Sequence, residues 1–398
     1  MKKLSDLALN LKGSIIREMH TAAAGMTDVL NFTVGEPDFV TPTPIIDRAI
    51  KSMREGKTFY SQNRGILPLR EAIAKYHADD PKDPLNPDPK TDILITIGAT
   101  EALELSLLAL LDPGDEVIVL TPCWPNYLSM IAVAGGVAKC VPGLEENGFA
   151  PDPEDIEAAI TEKTKLIMVN SPSNPTGGVI PKETMDRIAD LVKKYDLFAL
   201  TDEVYRTIVF DGQTATSLTE YPEIKDNVIF INSFSKSFAM TGWRVGYVIA
   251  LPEIIDRMTK IHQNLANSIF VPAQEACITA LEECLPDSLK MKESYEARRN
   301  LIVDGLRQIK GLSCNKPGGA FYVFANLSEF GLGSKEFCLK LLDEIKAVTV
   351  PGLGFGQSTD KFNLDNYFRI SYATSEADIN EFLNRLDSFS QKFFKAKS

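Results

Sequence analysis

Short apolar runs recur through the middle of the chain, and several are separated by helical repeats. Asp92–Ile97, Glu116–Leu120, Lys165–Asn170, Leu197–Thr201, Val228–Asn232 and Arg244–Ala250 read as buried strands. Thr100–Leu111 and Pro181–Tyr195 carry helical patterns between them. This alternation confines the chain to an α/β fold with a mainly parallel sheet. Parallel strands need long crossover connections, and the crossing helices cover both faces of the sheet.

At 398 residues the chain is too long for one simple core. The pattern changes after about residue 285: a long helical stretch, Ser288–Lys310, leads to Gly318-Gly319-Ala320-Phe321-Tyr322-Val323-Phe324, then more helix, then a strand at Tyr367–Tyr372. The expected division is a large domain over 46–285 and a smaller α+β domain over 286–398, with residues 1–45 as an arm that contributes to the small domain. Asp79–Thr91, rich in Pro and Asp, is expected to be an exposed loop.

Charge narrows the partners. With 42 basic against 54 acidic residues the net charge is −12, which repels phosphate backbones and anionic lipid, so neither nucleic acid nor membrane is expected. The six cysteines are scattered without a CxxC pair and there are only three histidines, so no metal site and no disulfide framework is expected. The opening MKKLSDLALNLKG lacks an apolar run of signal-peptide length, and the richest apolar run, Leu105–Leu111, is far shorter than a membrane span. A soluble cytoplasmic protein is the expectation.

Ligands of such sheets sit beyond the carboxyl ends of the strands, and four strand ends here carry polar residues. Gly98-Ala99-Thr100 opens a helix whose first N–H groups favour a phosphate; read alone, it is also a plain turn with Thr100 as N-cap. Asn174-Pro175-Thr176-Gly177 is a turn signature, with an Asn174 amide free to donate. Asp202 ends the apolar stretch FALTD, where an unpaired carboxylate is costly; a protonated pyridine nitrogen would satisfy it, as would a helix N-cap, and Tyr205 follows three residues later. Ser233-Phe234-Ser235-Lys236 sets a lysine among hydroxyls, with Arg244 eight residues on. Burial and a neighbouring cation would turn that lysine into a nucleophile toward an aldehyde, and Arg244 offers a planar fork for a phosphate; a solvated lysine with a structural arginine is the plain alternative.

In their order and spacing these segments resemble the class I/II aminotransferases of the pyridoxal 5′-phosphate (PLP) fold type I, nearest the branch that includes bacterial aspartate and aromatic aminotransferases. The resemblance runs over nearly the whole chain, through Val34-Gly35-Glu36-Pro37-Asp38-Phe39, Tyr60-Ser61, Gly65-Ile66-Leu67-Pro68-Leu69-Arg70, Asp112-Pro113-Gly114-Asp115-Glu116-Val117, Asn174–Gly177, Asp202-Glu203-Val204-Tyr205, SFSKSFAMTGWRVG at 233–246, and Arg369-Ile370-Ser371. It implies a mainly parallel seven-stranded sheet in the large domain beside a smaller α+β domain, with PLP as cofactor. It also implies site roles. Lys236 is the Schiff-base lysine and proton carrier, and Asp202 the partner of the ring nitrogen. Asn174 and Tyr205 bond the ring's phenolic oxygen, and Trp124 stacks on the ring face. Ala99, Thr100, Ser233, Ser235 and Arg244 form the phosphate cradle. Tyr60 reaches the cofactor phosphate of a neighbouring subunit, which implies a homodimer with shared sites. Arg369 clamps the substrate α-carboxylate with help from Asn174 and the backbone at Gly35, and the Asn174–Pro175 bond is expected to be cis.

The implied reaction moves an amino group from an L-amino acid to a 2-oxo acid, with 2-oxoglutarate the expected acceptor. One branch of the family reads acidic side chains with a lysine where this chain has Thr100; another uses an arginine in the segment matching Gln263–Phe270, which here holds neither Arg nor Lys. That shifts the expected donor from aspartate toward neutral or aromatic amino acids; Arg17 in the arm reads first as a solvated residue and second as a substitute cation for an acidic donor. A PLP C–S β-lyase acting on sulfur amino acids would use the same lysine and ring contacts, as would a ring-forming lyase of the ACC synthase type. A regulatory PLP-binding module would need a DNA-binding domain before this fold, and the arm is expected to be too short for one.

Overall fold

The structure, a computed structural model, describes residues 2–11, 13–80 and 85–397. Of the loop expected over 79–91, residues 81–84 lie outside the described residues.

Seven strands form the main sheet: β1 (Ile93–Thr96), β2 (Glu116–Thr121), β3 (Val137–Pro142), β4 (Thr164–Asn170), β5 (Phe198–Asp202), β6 (Val228–Ser233) and β7 (Gly246–Ile249). Their spatial order is β1-β7-β6-β5-β4-β2-β3, and every pairing is parallel except those of β7, which runs against both its neighbours. Alternate residues leave opposite faces of a strand, and here both faces are dry. Leu166, Met168, Leu200, Ile229 and Ile231 pack on one side with Leu103, Leu107 and Met258. Ile167, Val169 and Ala199 pack on the other with Ile188 and Val192. Two-sided burial explains why these strands are continuous apolar runs rather than alternating ones.

Two departures from the sequence reading have local causes. The strand expected at Arg244–Ala250 starts at Gly246, because Arg244 sits in the left-handed region at φ 55°. The edge strand β3 was not anticipated. Its sequence, VAKCVP, is only partly buried and carries Lys139 outward, as sheet edges commonly do.

A second, antiparallel sheet is built from β8 (Ser313–Cys314), β9 (Tyr322–Asn326), β10 (Val350–Pro351) and β11 (Tyr367–Ser371), in the order β10-β11-β9-β8. The long helices Leu285–Leu306 and Glu376–Lys397 pack with it around a separate core that includes Phe321, Phe330, Phe337, Phe368 and Phe382. The N-terminal segment joins this unit: Leu30–Asn31 pairs in parallel with Ala347–Val348, and the Phe32 carbonyl accepts the Ser371 N–H at 2.9 Å. Among the described residues no helix is long and apolar enough to cross a membrane.

The reversed strand brings two backbones very close. Gly246 faces Thr96 in the ladder, and a Cβ there would stand 2.6 Å from the Ala99 nitrogen. Replacing Gly246 by Ala therefore forces the turn after β1 aside. The expected loss is roughly 1–3 kcal/mol, the usual scale of overpacking, read from the urea midpoint of unfolding.

Candidate active site

Because β7 is reversed, its beginning lies beside the carboxyl ends of the parallel strands. Loops after β1, β2, β4, β5 and β6, and the one before β7, thus meet at one edge of the sheet. They enclose a cavity of about 370 Å³, closed from the far side by Arg369 on β11, Tyr322 on β9 and the stretch Thr33–Glu36.

At one end is an anion cradle. The turn after β1 runs directly into the helix Gly98–Leu110, whose unpaired first N–H groups suit a negative charge. Gly98, at φ +69°, has no room for a Cβ because the Arg244 guanidinium occupies that place. Arg244 is held by the Thr241 carbonyl at 3.0 Å and reaches toward Ile97 O at 3.4 Å. Ala99, Thr100, Ser233 and Ser235 line the same end, and the Ser233 hydroxyl caps the short helix Phe234–Ser237 by accepting the Ser235 N–H at 3.4 Å.

In the middle lie Asp202 and Lys236. Asp202 is buried and accepts from the Tyr127 hydroxyl at 2.6 Å and the Val204 N–H at 3.3 Å, but no cation stands within ion-pair distance among the described residues. Burial pushes its carboxyl up to about 6, against the lowering effect of the Tyr127 bond. Lys236 is half-buried and donates to the Gly35 carbonyl at 2.5 Å. Burial pulls its amine down to about 8; Arg244 and Arg369 add to this and Glu36 opposes it. Trp124 lines the cavity next to Tyr127, edge to face at 5.5 Å.

At the other end Arg369 is only 1% exposed. It donates to Asn174 Oδ1 at 2.9 Å and to the Thr33 carbonyl at 2.5 Å, while its Nε has no partner. Asn174 is itself fixed, its N–H donating to Asn170 Oδ1 at 3.0 Å, and the Asn174–Pro175 bond that follows it is cis. Since the carbonyl end of its amide is taken by Arg369, the NH₂ end is left to donate elsewhere. The hydroxyls of Tyr205 and Tyr322 meet at 2.7 Å.

The structure thus gathers Gly35, Ala99, Thr100, Trp124, Asn174, Asp202, Tyr205, Ser233, Ser235, Lys236, Arg244 and Arg369 around one cavity. Tyr60 does not reach it and is 84% exposed. Sequence reasoning missed Tyr127, Tyr322 and Ile16, which line it too. Tyr127 stands three residues after Trp124, a spacing that could have flagged it; Tyr322 lies inside an apolar strand and reads as core. Chemically, the cavity offers two anion sites at its ends, a buried acceptor seeking a cation, and an amine that loses its proton readily. This donor set fits PLP: phosphate at the helix start, ring nitrogen at Asp202, aldehyde at Lys236. Among the described residues no group of acids, cysteines and histidines is arranged to hold a metal.

Comparison with known proteins agrees with this chemistry. The model of the aminotransferase class I and II family matches residues 27–386. Over 389 residues the chain is 41% identical to the putative aminotransferase YugH of Bacillus subtilis, covering 98% of each chain. It is 36% identical to the aromatic-amino-acid aminotransferase 2 of Thermococcus litoralis, covering 96% of this chain and 97% of that one. The structure superposes on that of the aspartate aminotransferase from Thermus thermophilus with maleate at a TM-score of 0.91 and 35% identity, over 98% of this chain and 100% of that one.

The lone carboxylate has a measurable cost in the ligand-free protein. A carboxyl whose folded pKa is about 6 rather than 3.8 binds more protons folded than unfolded between those values. Stability is therefore lost as pH rises through that window, and the full cost, on the order of 3 kcal/mol, stands above it. Asp202→Asn keeps the shape without the charge. The ligand-free variant is expected to melt with wild type near pH 4 and several degrees higher at pH 7 to 8, as read by calorimetry.

Proposed function

The chain belongs to the class I and II aminotransferases, and from that premise we propose how its residues divide the work and which substrates it takes. It is a PLP-dependent enzyme that transfers an amino group from an amino acid to a 2-oxo acid. The relatives named above are aminotransferases, and none of them favours the C–S lyase alternative. The observation that carries the site reading is the presence, in one cavity, of the Lys236 amine and the buried Asp202 carboxylate, which among the described residues has no cation at ion-pair distance.

Bound PLP supplies an aldehyde for the exchange of amines and a protonated ring that takes up the electron pair left when the substrate Cα–H bond breaks. The chain's own groups do the rest. Lys236 would hold the cofactor through Nζ, and its amine, pulled down to about 8, would be the group that takes and returns the substrate Cα proton. Asp202 keeps the proton on the ring nitrogen, with Tyr127 fixing the carboxylate plane. Tyr205 and the amide nitrogen of Asn174 would donate to the ring's phenolic oxygen, and Trp124 would cover the ring. Ala99, Thr100, Ser233, Ser235 and Arg244 hold the phosphate. Arg369, its plane set by Asn174 and Thr33, binds the α-carboxylate bidentately, so that the Cα–H bond can be set perpendicular to the ring.

Three cations line the cavity, Lys236, Arg244 and Arg369, and these roles occupy all three. Ile16, Val34 and Trp124 contribute apolar lining instead, and Arg17 is exposed. This supports neutral or aromatic donors over aspartate; 2-oxoglutarate is proposed as acceptor from the family resemblance and not from this lining. We further propose a cytoplasmic homodimer. Gln274 ties the two relevant segments together, accepting the Ile66 N–H and donating to Ser61 Oγ and the Ile269 carbonyl. Beside that junction Phe59 and Tyr60, each 84% exposed, and Leu265 and Phe270 at 64% and 55% offer an apolar surface to a second copy. The division into an arm over 1–45, a large domain over 46–285 and a small domain over 286–398 is part of the same proposal.

Two variants and a substrate panel test the reading. Lys236→Ala should bind PLP without a covalent bond and show no turnover; borohydride reduction and peptide mapping of the wild type should find the cofactor on Lys236 and nowhere else. Arg369→Ala should lose roughly 1.5–3 kcal/mol of substrate recognition, about ten- to a hundredfold in kcat/KM, the scale of hydrogen bonds to a charged group. With 2-oxoglutarate as acceptor, phenylalanine or a neutral aliphatic donor should exceed aspartate in kcat/KM; the reverse order would remove the specificity claim.

A further inference from the structure

Tyr322 is a polar residue without an assigned task, placed where three assigned ones meet. It is fully buried on β9 of the smaller sheet. Its hydroxyl lies 2.7 Å from that of Tyr205, which follows β5 of the main sheet. Its ring lies under the Arg369 guanidinium, 4.6 Å from centroid to carbon, and edge-on to the Tyr205 ring at 5.7 Å. A Cβ on Gly35 would stand 2.5 Å from the Tyr322 oxygen, and it is the Gly35 carbonyl that receives the Lys236 amine.

The pair of hydroxyls has only two protons to distribute. If Tyr205 gives its proton to the ring oxygen of the cofactor, it cannot also give it to Tyr322. The 2.7 Å contact must then be a donation from Tyr322 into the Tyr205 oxygen. A hydroxyl that accepts a hydrogen bond becomes a better donor, by perhaps a tenth to a third of a bond in a low-dielectric site. Both hydroxyls are buried and both feel the Arg369 charge, which favours the polarisation required.

We propose that Tyr322 is a positioning residue whose hydroxyl donates to Tyr205 and thereby sets how strongly Tyr205 donates to the cofactor's phenolic oxygen, while its ring holds the plane of Arg369. This rests on the roles given above to Tyr205 and Arg369. It makes the smaller sheet a contributor to the electronics of the cofactor as well as to substrate binding.

The consequence is spectroscopic. The phenolic oxygen bears most unshared charge when the neighbouring cofactor nitrogen has lost its proton, so strong donation there favours the deprotonated form. Weakening that donation raises the pKa at which the bound cofactor changes colour. In Tyr322→Phe, which keeps the ring, this pKa in the substrate-free holoenzyme should rise by roughly half a pH unit, with kcat reduced severalfold and KM for the donor little changed. Tyr322→Leu, which also removes the face under Arg369, should in addition raise KM severalfold.

The decisive comparison is a double-variant cycle. In a Tyr205→Phe background the further change Tyr322→Phe should leave the spectroscopic pKa where it is, because the hydroxyl it acts through is gone. An unchanged pKa in the single variant, or an equal shift in both backgrounds, overturns the proposal. A wild-type protein in which borohydride fails to fix PLP on Lys236 would instead overturn the covalent role of Lys236, so the two failures are told apart.

Discussion

The carboxylate of Asp202 lies at the end of β5, in the lining of the cavity, and accepts from a phenol and an amide, with no cation at ion-pair distance among the described residues. A buried charge in that position is unfavourable by several kcal/mol in principle, and folds tolerate it where a ligand resolves it. The surroundings are built to keep it there. Asn170 donates to the Asp202 carbonyl at 2.9 Å and receives the Asn174 N–H, so one side chain ties the end of β5 to the loop after β4. Lys236 feels the same low dielectric in the opposite sense, its amine pulled down while the acid is pushed up. A cofactor with a cationic ring and an aldehyde answers both at once.

The site also depends on docking between two sheets. Arg369 and Tyr322 come from the smaller one, and their partners Asn174 and Tyr205 from loops of the larger. A second seam holds the two in register. Val209 bridges Gly319, the Phe210 N–H bonds Gly318 O at 2.9 Å, and the Ala320 N–H bonds Ile208 O at 2.9 Å. Behind it, fully buried Arg299 forms a fork to Asp211 at 2.7 and 2.9 Å, which holds that carboxyl down to about 2. Tyr205 and Tyr322 both lie just beyond one end of this seam, past the Ile208–Ala320 pair, where their hydroxyls meet. The separation of Arg369 and Tyr322 from Asn174 and Tyr205 is therefore set by backbone pairing and packed aromatics rather than by flexible loops.

Much of this was legible beforehand, for identifiable reasons. The strands of the main sheet are buried on both faces, so they appear in sequence as unbroken apolar runs, and the polar residues at their ends stand out against them. Lys236, Asp202 and Asn174 were conspicuous in that way. Tyr322 was not, because a tyrosine within YVFAN is indistinguishable from core until its hydroxyl is seen to have a partner. Edge strand β3 escaped because only its last two residues are buried, which blurs the apolar signal. Tyr60 was named by family resemblance alone, and one chain leaves it on the outside.

By itself the sequence determined the layer order of an α/β domain, the identity of the groups at the strand ends, and a strong resemblance carried by SFSKSFAMTGWRVG. It did so because apolar period and turn chemistry are local properties, written in adjacent residues. Only the tertiary structure decided that β7 runs backwards, so that Arg244 joins the cradle opened by Gly98. Only it decided that Arg369, almost two hundred residues beyond Asn174, shares a hydrogen bond with it, and that two tyrosines from different sheets touch through their oxygens. Those facts depend on strand direction and on how two cores dock, which are settled by the packing of the whole chain and leave no trace in any short stretch of it.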